Sequence, residues 1–235
     1  IFKKAEELFS SWQTSAFDPF KKWPIPEFKP LTKTDYFTVE SNTPTVPLIM
    51  IDWRGPDTRH DLQSTYAADV FSYILTQNSS KLNKALVQSG LAVGTSFNYL
   101  TVSHGGIITF IIQPNPQKIK ECLAEVQKQI GLFDADDYLT AEQIENAKRK
   151  LEIKQVREEE ITSNYVHGLS FWWASASLNY YFNYLDNLKK VKKIDLQNYV
   201  RKYIKSKPYC AGLLINTDLK AQLNTDTFFK APAKP

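Results

Sequence analysis

The fold is decided by a short apolar run, VPLIMIDW at residues 46–53. Pro44 lies just before this run and Gly55-Pro56 just after it, and an apolar run bounded in this way predicts a β-strand. A helical pattern follows over 59–76, where apolar residues recur at spacings of three and four. The compact part of the chain therefore begins with a strand and a helix.

The segments on either side extend this pattern into a complete domain. The predicted elements are, in chain order, strands at 36–39 and 46–53, helices at 59–76 and 81–89, strands at 91–100 and 106–113, a helix at 116–130, a long interrupted helical region from 140 to 184, a helix at 195–204 and a strand at 209–215. Thr140 and Gln143 form a capping-box pattern at the start of the long helical region. This order predicts an α+β fold, with a mostly antiparallel sheet and helices packed on one face.

Composition narrows the class of protein. Hydrophobic residues make up 43% of the 235 residues and charged residues 23%, which is an ordinary globular balance. The net charge of +4 is spread along the chain and accompanies no nucleic-acid-binding motif, so nucleic acid is not expected as a partner. No apolar run approaches the ~20 residues that span a bilayer, so no membrane span is expected. Cys122 and Cys210 are interpreted as small buried hydrophobes, and a disulfide between them is neither required nor excluded.

Several short motifs occur in an order that is known from one family. They are FSSW at 9–12, SSKL at 79–82, LVQSGLA at 86–92, LTAEQ at 139–143 with AK at 147–148, and the closing stretch 185–204. Over about residues 1–216 the chain resembles the second half of zinc peptidases of the pitrilysin, insulinase and mitochondrial-processing-peptidase type. The resemblance implies one lobe of a clamshell in which two homologous α+β lobes face each other across a chamber.

The same resemblance divides the chain. Residues 1–14 are interpreted as the end of a preceding lobe, 15–33 as a Pro-rich linker, 34–216 as the non-catalytic, C-terminal lobe and 217–235 as a polar, frayed tail. The chain opens at Ile1 and not at Met, so we expect a fragment or a processed product.

Histidines decide whether the chain could hold the family's zinc. These peptidases use H-x-x-E-H on a helix, which places two imidazole ligands on one face with a glutamate beside them as general base. His60, His104 and His167 each lack a second histidine at a ligand spacing, so we expect surface or capping histidines and no metal site in this chain. The resemblance implies that zinc is held by a partner catalytic lobe, encoded in the same gene or in a separate subunit.

The resemblance also implies positions that reach the substrate. The non-catalytic lobe of the family can supply an arginine and a tyrosine to the chamber, and these positions fall on Lys81 and Val93 here. Lysine keeps the charge without the bidentate fork, and valine cannot donate a hydrogen bond. An aromatic stretch at 171–184 is either helix core with partner contact or a chamber wall that grips extended peptide. The candidate substrate-binding residues are Lys81, Tyr99, Trp172, Trp173 and Tyr181.

Three functions remain open at this point. The chain is a substrate-binding, chamber-closing lobe whose peptidase activity needs a partner lobe, an inactive homologue with a structural or assembly role, or an unrelated α+β binding module. The expected partners of the first are the catalytic lobe and a peptide, in a homo- or heterodimer. The compartment, periplasm or cytoplasm, is not determined.

Overall fold

The computed structural model of the chain describes residues 1–13 and 15–223. Its strands are β1 Asp35–Glu40, β2 Leu48–Arg54, β3 Ala92–Leu100, β4 Ile107–Pro114 and β5 Cys210–Ile215. Its helices are α1 Phe2–Phe9, α2 Pro19–Lys22, α3 Leu62–Leu75, α4 Lys81–Asn83, α5 Ile119–Leu132, α6 Ala141–Glu159, α7 Thr162–Ser175, α8 Leu178–Phe182, α9 Tyr184–Lys190, α10 Lys193–Tyr203 and α11 Thr217–Leu223. One π-helical turn, Lys84–Gln88, continues α4.

The five strands form a single sheet in the order β1-β5-β2-β4-β3. Only the β1–β5 pair within this sheet is parallel, and the other three pairs are antiparallel. This confirms the predicted α+β class and the mostly antiparallel sheet. Because β5 inserts between β1 and β2, the last strand in sequence completes the middle of the sheet, and β3 remains at an edge.

The two faces of the sheet differ in burial. Along β2, Ile49, Ile51 and Trp53 are buried, whereas Met50 between them is 37% exposed. The buried residues lie on the face that the helices cover, since successive side chains of a strand point to opposite faces. Phe37 of β1 lies over Gly212 on the other face, where a Cβ atom on the glycine would come within 2.5 Å of the phenylalanine ring.

Helix α3 forms the centre of the core. Its residues Tyr66, Val70 and Phe71 are almost completely buried. The ring of Phe71 packs edge-on against Phe97 of β3 at 5.6 Å and against Phe133 at 5.4 Å between centroids. Edge-to-face pairs add ~0.5–1.5 kcal/mol each beyond the area that they bury. The helix is therefore fixed against β3 and the end of α5.

The N-terminus of α3 is fixed by Asp61. Its carboxylate accepts from the backbone N–H of Ser64 at 3.2 Å, from Lys202 Nζ at 2.5 Å and from Tyr203 Oη at 2.7 Å. Burial opposes ionisation here, but these hydrogen bonds outweigh it and lower the pKa of Asp61 to about 2. The carboxylate joins the start of α3 to α10.

Two expectations about helix boundaries have different outcomes. The capping box at Thr140 and Gln143 is present with both hydrogen bonds, and it starts α6 as predicted. Residues 217–223 form α11, although a frayed tail was expected from 217 onward. The rest of the predicted tail, 224–235, lies outside the described residues.

The Pro-rich segment is exposed but touches the compact part at one point. Pro19 is the first residue of α2, where its missing N–H costs nothing, so this segment contains a helical turn as well as extended chain. The ring of Phe28 lies 4.8 Å from the Arg54 guanidinium and against Gly105, whose φ of +68° suits glycine. In the part of the chain that the structure describes, no helix has the length and hydropathy needed to cross a membrane.

Candidate functional site

A cleft of about 300 Å³ opens beside the end of the edge strand β3. Elements α3, α6, α7, α8 and α9 contribute its other walls. We call it the tyrosine cleft, and its defining residues are Asp69, Tyr99, Lys154, Glu158, Tyr165, Phe171, Trp172, Tyr180, Tyr181 and Tyr184.

The aromatic wall depends on a break in the helical region. Helix α7 ends at Ser175, and the Ser177 side chain then accepts from the backbone N–H of Tyr180 at 3.0 Å to cap α8. The chain reverses there, so Trp172 of α7 meets Tyr180 of α8 with 4.9 Å between ring centroids. The cap at Ser177 thus allows aromatic residues of α7 and α8 to pack against each other.

The carboxyl group of Asp69 lies at the base of the cleft, on α3. Tyr184 donates a hydrogen bond from Oη to Asp69 Oδ2 at 2.8 Å, and Oδ1 has no hydrogen-bond partner within residues 1–13 and 15–223. Burial raises the pKa of Asp69 to about 7, and the Tyr184 hydrogen bond and the charge of Lys154 only partly offset it. A carboxyl group with such an environment in a cleft marks a candidate functional site.

The tyrosines around Asp69 remain neutral near neutral pH. Burial and the adjacent Asp69 raise the pKa of Tyr99, Tyr180 and Tyr184. The ring of Tyr66 stacks on the ring of Tyr180, with 5.3 Å between the centroids. The rings therefore present apolar surface and no charge to the cleft, since the hydroxyls of Tyr99 and Tyr184 already donate to Pro56 O and Asp69 Oδ2.

The other charges of the cleft lie on α6. Lys154 Nζ is 3.8 Å from Glu158 Oε1, and both side chains are largely exposed. With one lysine and two carboxyl groups among the lining residues, the cleft has a formal charge of −1 when Asp69 is ionised. No cation of the described lining residues forms an ion pair with Asp69 within 4.0 Å.

Three of the five sequence-predicted substrate-binding residues meet in this cleft. They are Tyr99, Trp172 and Tyr181. Trp173 is 72% exposed and does not line the cleft. Lys81 lies elsewhere, with Nζ at 2.7 Å from Asp137 Oδ2, and Val93 is 62% exposed on β3.

The sequence analysis missed the central residue of the cleft. Asp69 belongs to no motif, and Tyr180 and Tyr184 were seen only as part of an aromatic stretch. One signal was available, since Asp69 is the only charged residue between Leu62 and Leu75. A lone carboxylate in an otherwise uncharged, buried helix requires a partner or a function.

A wider groove of about 500 Å³ lies beneath the Pro-rich segment. Two pairs of its polar side chains bond to each other, since His60 Nδ1 is 2.9 Å from Asp57 Oδ1 and Arg59 Nη1 is 2.8 Å from His104 Nε2. Neither pair has a third metal-ligating side chain nearby. Across residues 1–13 and 15–223 no group of three His, Cys, Asp or Glu side chains is placed to hold a metal ion.

Comparisons with known proteins agree on one family. The family model of the peptidase M16 inactive domain matches residues 1–151. No curated protein sequence matches the chain. The chain is similar to a protease from Helicobacter pylori at 18% identity and a TM-score of 0.76, covering 91% of this chain and 52% of that one.

Two further solved structures have the same fold. An inactive peptidase domain from Bordetella parapertussis is 19% identical with a TM-score of 0.66, over 76% of this chain and 95% of that one. A chain of Complex III2 from Candida albicans is 12% identical with a TM-score of 0.64, over 81% of this chain and 47% of that one. At these identities the likeness concerns the fold, and the chain spans about half of the length of the Helicobacter pylori protein.

Proposed function

Since the chain belongs to the family of the peptidase M16 inactive domain, we propose that it is the chamber-closing, peptide-holding lobe of a two-lobed zinc peptidase. The observation that carries this proposal is the family match itself, over residues 1–151. That match supports a non-catalytic lobe of a zinc protease. The peptide-holding role rests on the tyrosine cleft, which offers aromatic surface and the Asp69 carboxylate to an extended chain.

The residues that the structure describes do not fit a catalytic zinc ion. Three or four convergent ligands are needed, and the described residues contain no such group. Hydrolysis is therefore assigned to a partner lobe that carries H-x-x-E-H. The coverage of 52% of the Helicobacter pylori chain supports a partner of similar size, in the same gene or as a separate subunit.

The division of the chain forms part of the proposal. Residues 1–14, which include α1, would end the preceding lobe, 15–33 would link the two, and 34–216 would form this lobe. In the assembled protein this lobe would close one side of a chamber, exclude folded proteins by size and hold the far part of an unfolded peptide.

One observation favours the second candidate, an inactive homologue with a structural or assembly role. Valine occupies the position of the family's tyrosine at Val93, and Lys81, at the arginine position, is paired with Asp137. A lobe with valine at the tyrosine position and a paired lysine at the arginine position would contribute less to the reacting centre. The fold that it shares with a chain of Complex III2 is compatible with such a role.

Reconstitution separates the two candidates. The 235-residue chain is assayed on an unstructured peptide with zinc, alone and together with the H-x-x-E-H lobe encoded beside it. The first candidate predicts no cleavage by the chain alone and cleavage by the mixture, which a Glu→Gln change in the partner's motif abolishes. Zinc-dependent cleavage by the chain alone would contradict both candidates, and an inactive mixture would favour the structural role.

A further inference from the structure

The dimensions of the tyrosine cleft match a single side chain. Its volume of about 300 Å³ is at the small end of the range for ligand pockets. The cleft opens at Tyr99, Leu100 and Thr101, where the edge strand β3 ends. A chain that passes this edge could insert one side chain between α6 and α7 towards Asp69.

The charge of the cleft selects the sign of that side chain. Asp69 has one oxygen bonded to Tyr184 and a second with no hydrogen-bond partner among the described residues. Lys154 is the one cation among the described residues that line the cleft. Its Nζ is 3.8 Å from Glu158 Oε1, so a carboxylate already neighbours the ammonium group. An anion would meet a net negative site, and a neutral apolar group would bury the free oxygen of Asp69 without a partner, which is unfavourable.

The aromatic rings of the cleft also favour a positively charged side chain. A cation over the face of a tyrosine or tryptophan ring is attracted by the ring quadrupole, more strongly where water is excluded. Tyr180 is 3% exposed and packs on Tyr66 at 5.3 Å and on Trp172 at 4.9 Å between centroids, so the rings left to a cation are those of the less buried Trp172 and Tyr184. Rings and carboxylate together form a site for an organic cation.

From these contacts we propose that the tyrosine cleft binds the cationic side chain of a peptide, the ammonium of lysine or the guanidinium of arginine, on Asp69 and the surrounding rings. This names the substrate class of the lobe proposed above and rests on that proposal. Asp69 and the rings of Trp172 and Tyr184 are the binding residues.

Calorimetry on the 235-residue chain, without zinc or a partner lobe, tests the inference. The probes are short, acetylated and amidated Gly/Ser/Ala peptides that differ only in one central residue: lysine, arginine, norleucine or glutamate. We expect the lysine and arginine peptides to bind at least about tenfold more tightly than the norleucine peptide, and the glutamate peptide not to bind. The lysine and arginine arms decide between ammonium and guanidinium.

Two variants locate the site. Asp69→Asn keeps an acceptor for Tyr184 and should weaken binding of the lysine peptide about tenfold or more. Asp52→Asn is the matched control, since Asp52 accepts from Thr109 Oγ1 at 2.6 Å on the sheet and lies outside the cleft. The affinity of the Asp52→Asn variant for the lysine peptide should equal that of the unchanged chain.

The affinity should also rise from about pH 6 to about pH 8, because the cation needs an ionised Asp69. The charged side chains that line the cleft beside Asp69 are Lys154 and Glu158, and the tyrosines stay neutral in this window because burial raises their pKa. Equal binding of the lysine and norleucine peptides, or unchanged binding by Asp69→Asn, would overturn the inference. Either result would leave the reconstituted peptidase assay, and so the lobe assignment, unaffected.

Discussion

Two aspartates on one helix have opposite environments. Asp61 caps α3 and is held by Lys202, Tyr203 and the Ser64 N–H, and its pKa is lowered to about 2. Asp69, about two turns later, has one tyrosine as its hydrogen-bond partner, and burial raises its pKa to about 7. The residue type and the helix are the same, so the difference comes from what packs against each carboxyl group.

The comparison separates a structural charge from a candidate functional one. At Asp61 the cost of burial is offset by a cation and three donors, so the ionised form stabilises the fold. At Asp69 the cost is only partly offset, so the ionised form destabilises the fold and is available to a ligand. Replacing one or the other aspartate with a neutral residue should therefore change stability in opposite directions near pH 8.

The largest effect is expected at Asp61. Asp61→Ala removes the cap of α3 and the partner of Lys202, and it should lower the free energy of unfolding by about 2–3 kcal/mol near neutral pH. The lowered pKa means that this stabilisation is full above the unfolded pKa of ~3.9 and is lost as the pH falls towards 2. Urea denaturation at several pH values measures it.

The control is Asp18→Ala, which removes the cap of the exposed, single-turn α2. This cap has no cation partner among the described ion pairs, and its loss should hardly change stability. If Asp61→Ala cost no more than the control, the contrast between the two ends of α3 would be wrong.

Asp69→Asn should have the opposite sign. A raised folded pKa means that unchanged protein loses stability as the pH rises from ~4 to ~7, because the unfolded chain releases the proton more easily. The variant avoids this loss, so it should be more stable by about 1–3 kcal/mol near pH 8 and no more stable near pH 4. Thermal or urea unfolding at both pH values checks this, and a destabilised variant at pH 8 would be the contrary result.

Tyr184→Phe sharpens the contrast by removing the hydrogen bond to Asp69. The pKa of Asp69 should rise further, by roughly one unit, and stability should fall by about 1 kcal/mol. Carbon-13 NMR titration of the carboxyl groups follows the pKa directly. Tyr209→Phe, which loses a contact with Tyr36 away from the cleft, should leave the titration of Asp69 unchanged.

The smallest effect is expected at Lys81. Its ion pair with Asp137 lies in solvent, where side-chain entropy and screening offset the attraction. Lys81→Met should therefore leave the urea midpoint of the chain unchanged. A clear loss of stability would show that this pair is coupled to the core in a way that its exposure does not suggest.

The strands and the cap of α6 could be predicted because their signals are local. Alternating burial along β2, turn residues at its ends and the Thr140/Gln143 pair each act over a few neighbouring residues. The prediction of a frayed tail was wrong at 217–223, because these residues form α11. The sequence of this helix is short and polar, so it could not be told from that of a loop. The predicted tail beyond 223 is outside the described residues.

The candidate site was predictable only in part. The aromatic residues Tyr99, Trp172 and Tyr181 were chosen for their chemistry, and they do line one cleft, but Trp173 and Lys81 do not join them. Neighbouring residues on a helix face in directions about 100° apart, so Trp172 and Trp173 could not share one wall. Which of the two faced the cleft depended on how α7 docks.

By itself the sequence determined the α+β class, the family resemblance and the lack of an H-x-x-E-H motif, because each is written in short spacings along the chain. Tertiary structure decided what Asp69 does. Its pKa is raised by burial, and its single tyrosine partner lies on α9, with an Asp69–Tyr184 separation of 115 residues in sequence. Solvation and electrostatic interactions depend on distance in space, and no local pattern around residue 69 contains that distance.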